Sequence, residues 1–247
     1  MSRNIRHVIP ACLTLFLWDI ARSTSNSGPV LPLYVESLGV GIIAWSMLAA
    51  AFSVGAFLLE WVWGSLCDRT DRRLLMILSV LCMSVLFVLY TRPGLVHFFI
   101  VLQLLSGAVG VIIGPTTRVY VSDKSTEKSI GLYTSLWWTF HTLGSMVGPL
   151  LGTYIAQTWS FEYSFYASST ISIILAFVII ASFPSDKRRQ TSGNLQSFAR
   201  GLKSVLRIRS ARYLFLSATC SFMGIAVVRS FLPLYASERI KMSTVEV

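Results

Sequence analysis

The sequence predicts an all-α membrane protein: a six-helix N-terminal bundle, a seventh transmembrane helix after it, and a cytoplasmic N-terminus. Three observations predict this. Of the 247 residues, 54% are hydrophobic and 13% charged, with a mean hydropathy of +0.65, whereas soluble domains carry about 25% charged residues. The apolar residues fall in runs approaching the ~20 that a bilayer-spanning helix needs. The basic residues lie between those runs and strongly favour one side.

Seven hydrophobic segments can be drawn, at roughly 8–34, 42–63, 74–90, 95–118, 129–155, 163–183 and 213–235. Short cytoplasmic loops retain Lys and Arg. With the N-terminus inside, the inner segments hold Arg3, Arg6, Arg69, Arg72, Arg73, Arg118, Lys124, Lys128, Lys187, Arg188, Arg189, Arg200, Lys203, Arg207, Arg209 and Arg212. The outer ones hold only Arg92, Arg239 and Lys241. That count also speaks against a seven-span receptor, whose N-terminus lies outside. Arg3 and Arg6 precede an apolar run as in a signal peptide, but the run continues to about Tyr34 with no small-residue cleavage pattern, so a retained first span is expected.

Residues 1–183 form the expected six-span unit, 184–212 a basic cytoplasmic linker, and 213–247 the first span of a second half. In the linker, Leu195, Phe198, Leu202, Val205 and Leu206 recur at helical spacing. Two readings stand: an amphipathic helix lying against anionic headgroups, or a merely solvated basic segment. Cys12, Cys67, Cys82 and Cys220 show no paired spacing, so neither disulfides nor a zinc site is supported.

An internal repeat organises the chain. Leu31-Pro32-Leu33-Tyr34 closes the first span and Leu232-Pro233-Leu234-Tyr235 the seventh, while Leu13, Leu15 and Arg6 match Leu214, Leu216 and Arg207 at the same offset. Parallel repeats of this kind build secondary transporters. The second copy stops at Val247, where its second span should begin, so the chain is expected to be incomplete.

Between spans two and three stands Gly64-Ser65-Leu66-Cys67-Asp68-Arg69-Thr70-Asp71-Arg72-Arg73. With this the sequence resembles the major facilitator superfamily, whose loop there reads G-x-x-x-D-R/K-x-G-R-R/K. The second Gly of that pattern is Asp71 here; Asp tolerates a left-handed conformation, so the tight turn is expected to survive. The resemblance implies that Gly64, Asp68, Arg69, Arg72 and Arg73 form a cytoplasmic gate that latches two halves. The alternative is that the three arginines only set topology.

In the fifth span Gly144, Gly148, Pro149 and Gly152 match the family's G-x-x-x-G-P-x-x-G element, associated with proton-exchanging exporters. Independently, glycines four apart let another helix approach closely, and Pro149 removes a backbone donor. In the fourth span Gln103, Gly107, Gly110 and Gly114 fall within about 60° of one another at about 100° per residue. Family exporters often carry an Arg where Gln103 stands. A Gln cannot act on a carboxylate by charge, so a standard proton relay is in question. Gln103 is expected either to line the pathway or to bond between helices.

The first span places Asp19, Arg22 and Asn26 at spacings of three and four, on one face. Charges cost a few kcal/mol in hydrocarbon, so that face should line the cavity, unless Asp19 and Arg22 simply neutralise each other. Glu60 either pairs with a loop arginine or couples a proton. His141 shares a face with Gly144 and Gly148 and either handles a proton or is only hydrogen-bonded. Arg229 lies near the outer end of the seventh span, where it snorkels or holds an anionic group.

Enzyme motifs are lacking: no H-E-x-x-H, G-x-S-x-G or P-loop occurs, and His7, His97 and His141 are too dispersed to ligate one metal. The basic residues form no nucleic-acid face, and no cofactor is expected. The resemblance implies a multi-pass protein of the cell membrane that exports a small-molecule substrate, here as an incomplete chain. The rival reading is a non-transporting fragment, or half of a split transporter whose partner chain supplies the missing half.

Overall fold

The computed structural model describes residues 2–92, 94–184 and 207–235. Among these the chain is helical, without strands: α1 Ser2–Ser25, α2 Val30–Ser37, α3 Ile42–Arg69, α4 Arg72–Tyr90, α5 Val96–Gly110, α6 Ile113–Asp123, α7 Ile130–Thr158, α8 Phe161–Ser182 and α9 Arg209–Tyr235. Each of the seven expected segments is helical. Most of the expected linker helix, residues 185–206, lies outside the described residues.

Two segments are broken, for local reasons. The first divides at residues 26–29, where Gly28 and Pro29 separate α1 from α2. The fourth divides at Val111 and Ile112, one turn before Pro115, whose ring nitrogen has no hydrogen to donate back to the preceding turn. α7 instead runs unbroken through Pro149.

Among the described residues, four stretches are long and apolar enough to cross a membrane: Ile43–Gly64, Arg72–Tyr90, Val96–Asp123 and Phe161–Ser182. α7 has the length, 29 residues, but its hydroxyl side chains and His141 make it more polar. Ser135, Thr139 and Thr142 are exposed, while Tyr133 and Thr153 are buried; among the described residues α1 and α7 form the most extensive helix pair.

Packing follows small residues. α1 lies centrally against α7, α8 and α6, α3 lies on α5, and α4 on α8. At the α3/α5 crossing, a Cβ on Gly55 would strike the Leu104 carbonyl and one on Gly107 the Phe52 carbonyl. Beside that crossing the Trp63 indole N–H donates to the Ala108 carbonyl at 2.6 Å. Ser84 and Ser169 join α4 to α8 at 2.7 Å. Such bonds add to the van der Waals packing that holds helices together in lipid. At one end Tyr34, Tyr90, Phe99 and Phe165 form a buried aromatic cluster uniting α2, α4, α5 and α8, with Tyr90 and Phe165 stacked at 5.5 Å. Leu31 and Tyr34, from the first copy of the repeat, are therefore core residues. α9, which carries the second copy, packs on α2.

The loop after α3 departs from the expected turn. Asp71 has φ −64° and ψ 114°, an extended conformation, and its carboxylate accepts from the Arg73 backbone N–H at 2.9 Å, capping α4. Among the described glycines only Gly39 has a positive φ. Asp therefore replaces the family's Gly as a helix cap, without a left-handed turn. Arg72 and Arg73 are engaged within this half. The Arg72 Nη1 donates to Asp123 Oδ2 at 2.8 Å, tying α4 to the end of α6, and the Arg73 Nη2 donates to the Ile180 carbonyl of α8 at 2.8 Å.

Candidate functional site

The α1/α7 contact is built on the glycine motif of the fifth span. A Cβ on Gly144 would lie 2.6 Å from the Phe16 carbonyl oxygen and 2.9 Å from Asp19 Cβ. One on Gly148 would lie 2.6 Å from Ser23 Cβ, and one on Gly152 would strike the Thr24 backbone. Pro149 lies beside Gly28, in the bend that ends α1. Without side chains at these positions, α7 lies against the backbone of α1.

That approach sets His141, one turn before Gly144, against Asp19. The imidazole Nδ1 is 2.6 Å from Asp19 Oδ2. The Asp19 side chain is 2% exposed and that of His141 29%, so the pair runs from the helix interface to an open edge. Arg22 Nη2 stands 3.7 Å from Asp19 Oδ1. Trp137 stacks on the imidazole at 6.0 Å and Trp138 meets it edge-on at 5.3 Å. The Trp137 Nε1–H is anchored on Thr117 Oγ1 of α6 at 3.1 Å.

The exposed edge of His141 opens on a groove of about 810 Å³ between α7 and α9. From α7 it is lined by Trp138, His141, Thr142 and Ser145. Its other wall is Cys220, Ser221, Gly224 and Val228 of α9. The volume lies in the usual range for small-molecule sites, and the wall mixes aromatic, hydroxyl and ionisable groups.

Asn26 and Gln103 do not line this groove. α1 ends at Ser25, so helical spacing no longer aims Asn26. It is buried, and its Nδ2 donates to Tyr90 Oη at 3.5 Å, with Ser106 Oγ 3.2 Å beyond. Gln103 is buried in the bundle, and its Oε1 has no hydrogen-bond partner among the described residues. The glycine stripe of the fourth span is divided as well, since Gly107 closes on α3 and Gly110 on Trp18 and Met83, while Gly114 meets open space.

Gly64 and Glu60 are exposed, and Glu60 has no ion-pair partner among the described residues. The side chains of Asp68, Arg69 and Arg229 lie outside the described residues. What sequence reasoning missed is the pairing of Asp19 with His141 and the parts of Trp138 and Cys220. Only the shared face of His141 and the glycines hinted at it.

A family model described as Major Facilitator Superfamily matches residues 11–247. The chain belongs to the Major Facilitator Superfamily. It is thus an integral, multi-pass membrane protein of a transporter family rather than an enzyme family. It is similar to Multidrug resistance protein MdtG of Escherichia coli O1:K1 / APEC, at 29% identity over 180 residues that cover 71% of this chain and 43% of that protein. MdtG of Escherichia coli strain K12 / DH10B matches to the same extent. The chain therefore spans less than half the length of these curated relatives. Among solved structures it resembles a bacterial homolog of the human lysosomal transporter Spinster, in an inward-facing and unoccupied conformation. The TM-score is 0.78 at 14% identity, covering 100% of this chain and 58% of that one. At that identity the likeness is one of fold.

Proposed function

We propose that the full gene product is a secondary transporter that exports a small solute across the cell membrane by alternating access, in exchange for protons. The observation that carries this reading is the Asp19–His141 pair, 2.6 Å apart and reaching from a buried interface to a groove. An ionisable pair is costly at membrane depth and marks proton and substrate routes. The name of the MdtG relatives, multidrug resistance, supports export as the direction.

In this reading the N-terminus is cytoplasmic. Asp19, Arg22 and His141 serve the pathway, with Arg229 near its outer end, and Gln103 and Asn26 support it from within the bundle. Gly144, Gly148, Pro149 and Gly152 provide the helix contact on which the pair is mounted. Gly64, Asp68, Arg69, Arg72 and Arg73 form the cytoplasmic gate, with Arg72 and Arg73 held against α6 and α8. The second half of the fold closes the groove, whether it is encoded with this chain or comes from a partner.

The test is ethidium transport by everted membrane vesicles containing the full gene product. The reading predicts accumulation driven by an acid interior and abolished when nigericin collapses the pH difference. Accumulation indifferent to nigericin would reject proton exchange.

A further inference from the structure

At the end opposite the Asp71 loop, the α4/α8 pair carries a cluster of charges and rings that the transport reading does not use. Both helices are long and apolar enough to cross a membrane, over Arg72–Tyr90 and Phe161–Ser182, so residues just past Tyr90 and at the start of α8 stand where hydrocarbon meets headgroups. Thr91 Oγ1 lies 3.4 Å from Tyr166 Oη, tying the two ends together. The contacts of Ser84 with Ser169 and of Arg73 with Ile180 are equally spaced along the two antiparallel helices; continued to this end, their register sets Arg92 level with Phe161 and Glu162. Arg92 is exposed and Glu162 half-buried, and neither forms an ion pair among the described residues. Trp159, Tyr163 and Tyr166 are exposed beside them, each ring centroid 6.2 Å from the next. Farther along the spans, Val85 and Val88 of α4 and Ile173 and Phe177 of α8 are exposed apolar side chains.

A cation, an anion and an aromatic ledge thus stand at the head of an apolar face. Opposite fixed charges side by side suit a zwitterion, since a ligand of one sign would meet one repelling group. A guanidinium binds phosphate with two parallel hydrogen bonds, ring faces attract an ammonium, and tryptophan and tyrosine favour headgroup depth. We infer that this corner binds a phospholipid whose headgroup is zwitterionic and carries a primary ammonium, with the phosphate on Arg92, the ammonium on Glu162 and the rings, and the acyl chains along the α4/α8 face. A choline nitrogen, sheathed in methyl groups, has no hydrogen to donate to Glu162. The inference does not depend on the export reading. The competing role is local: an acid at the start of α8 and a base past the end of α4 have the signs that the helix dipoles favour, and that role requires no lipid.

The experiment is native mass spectrometry of the full gene product in detergent near neutral pH, offered phosphatidylethanolamine or phosphatidylcholine with the same acyl chains. Both lipids have no net charge, so basic residues elsewhere do not bias the comparison. Melting of each variant without added lipid is measured in parallel. Wild type should retain phosphatidylethanolamine about threefold to tenfold better, the worth of one hydrogen bond. Glu162→Gln should remove that preference, Arg92→Gln should weaken both lipids, and Arg92→Lys should keep most of the binding. Trp159→Leu should weaken both lipids, and Arg118→Gln, an exposed cation outside this corner, should behave as wild type. Glycerophosphoethanolamine, which has the headgroup without the chains, should displace little at equal concentration; full displacement would reject a lipid as the occupant. Equal retention of the two lipids by wild type would overturn the inference. So would lowered melting of Glu162→Gln and Arg92→Gln with the lipid preference intact, which would leave these charges only their helix-end role. Neither result bears on the vesicle assay, so failure here and failure of proton exchange are told apart.

Discussion

Asp19 Oδ2 and His141 Nδ1 lie 2.6 Å apart although 122 positions separate them in the chain. Three glycines of α7 make this possible by admitting the backbone of α1. The close helix packing and the Asp19–His141 bond are thus two consequences of one contact.

The first prediction concerns coupling within the pair. Asp19→Asn and His141→Gln should each lower the thermal stability of the purified protein, and the double variant should lose less than the sum. Contacting polar residues show non-additivity of about 0.5–3 kcal/mol. Additive losses in a double-mutant cycle would mean that the two side chains do not interact in solution.

The second concerns the contact itself. Gly148→Leu should be far more damaging than Leu150→Ala, because Gly148 lies against Ser23 and Ile20 whereas Leu150 is 63% exposed. Overpacking costs about 1–3 kcal/mol, and forced separation of α1 and α7 would also break the Asp19–His141 bond. Melting in detergent tests it, and equal midpoints for the two variants would refute it.

The third concerns the loop after α3. Asp71→Ala should cost about 1 kcal/mol through loss of the α4 cap, and Asp71→Gly only a few tenths. The family's own residue should therefore not stabilise this chain. A measurable gain from Asp71→Gly would indicate a left-handed turn at that position.

The fourth concerns the Arg72–Asp123 bond. The Asp123 side chain is 42% exposed, so solvent screens the pair and its worth is about 0–1 kcal/mol. Asp123→Asn should cost little, and less in high salt. Arg72→Ala should cost more, since Arg72 is buried and loses packing too. Equal losses for the two would show that charge alone matters there.

Much of the fold was legible in the sequence because a bilayer imposes a length and an apolar composition on each helix. The helices α3, α4 and α8 announce themselves in that way, and the family's loop and glycine motif name the architecture. The site was legible in its ingredients only. Asp19, Arg22 and His141 were each visible as ionisable residues in apolar runs, but spacing relates residues within one helix, and the Asp19–His141 bond joins two. Asn26 lies just past Ser25, where the helix ends before Gly28 and Pro29, so helical periodicity does not reach it. Gln103 and Gly107 lay on a small, polar face that suits a pathway and a helix crossing equally, and no single sequence distinguishes them. Arg72 and Arg73 carried the family's gate pattern, yet their partners, Asp123 and the Ile180 carbonyl, are contacts that only the folded chain brings within reach.

The most direct test of proton exchange through Asp19 and His141 is proton flux in proteoliposomes containing the full gene product and internal pyranine, triggered by adding ethidium. Wild type should show ethidium-dependent proton movement, and Asp19→Asn and His141→Gln, reconstituted in equal amounts, should show at most a tenth of it on the order-of-magnitude scale of general acid–base groups. Undiminished flux in both variants would contradict the account.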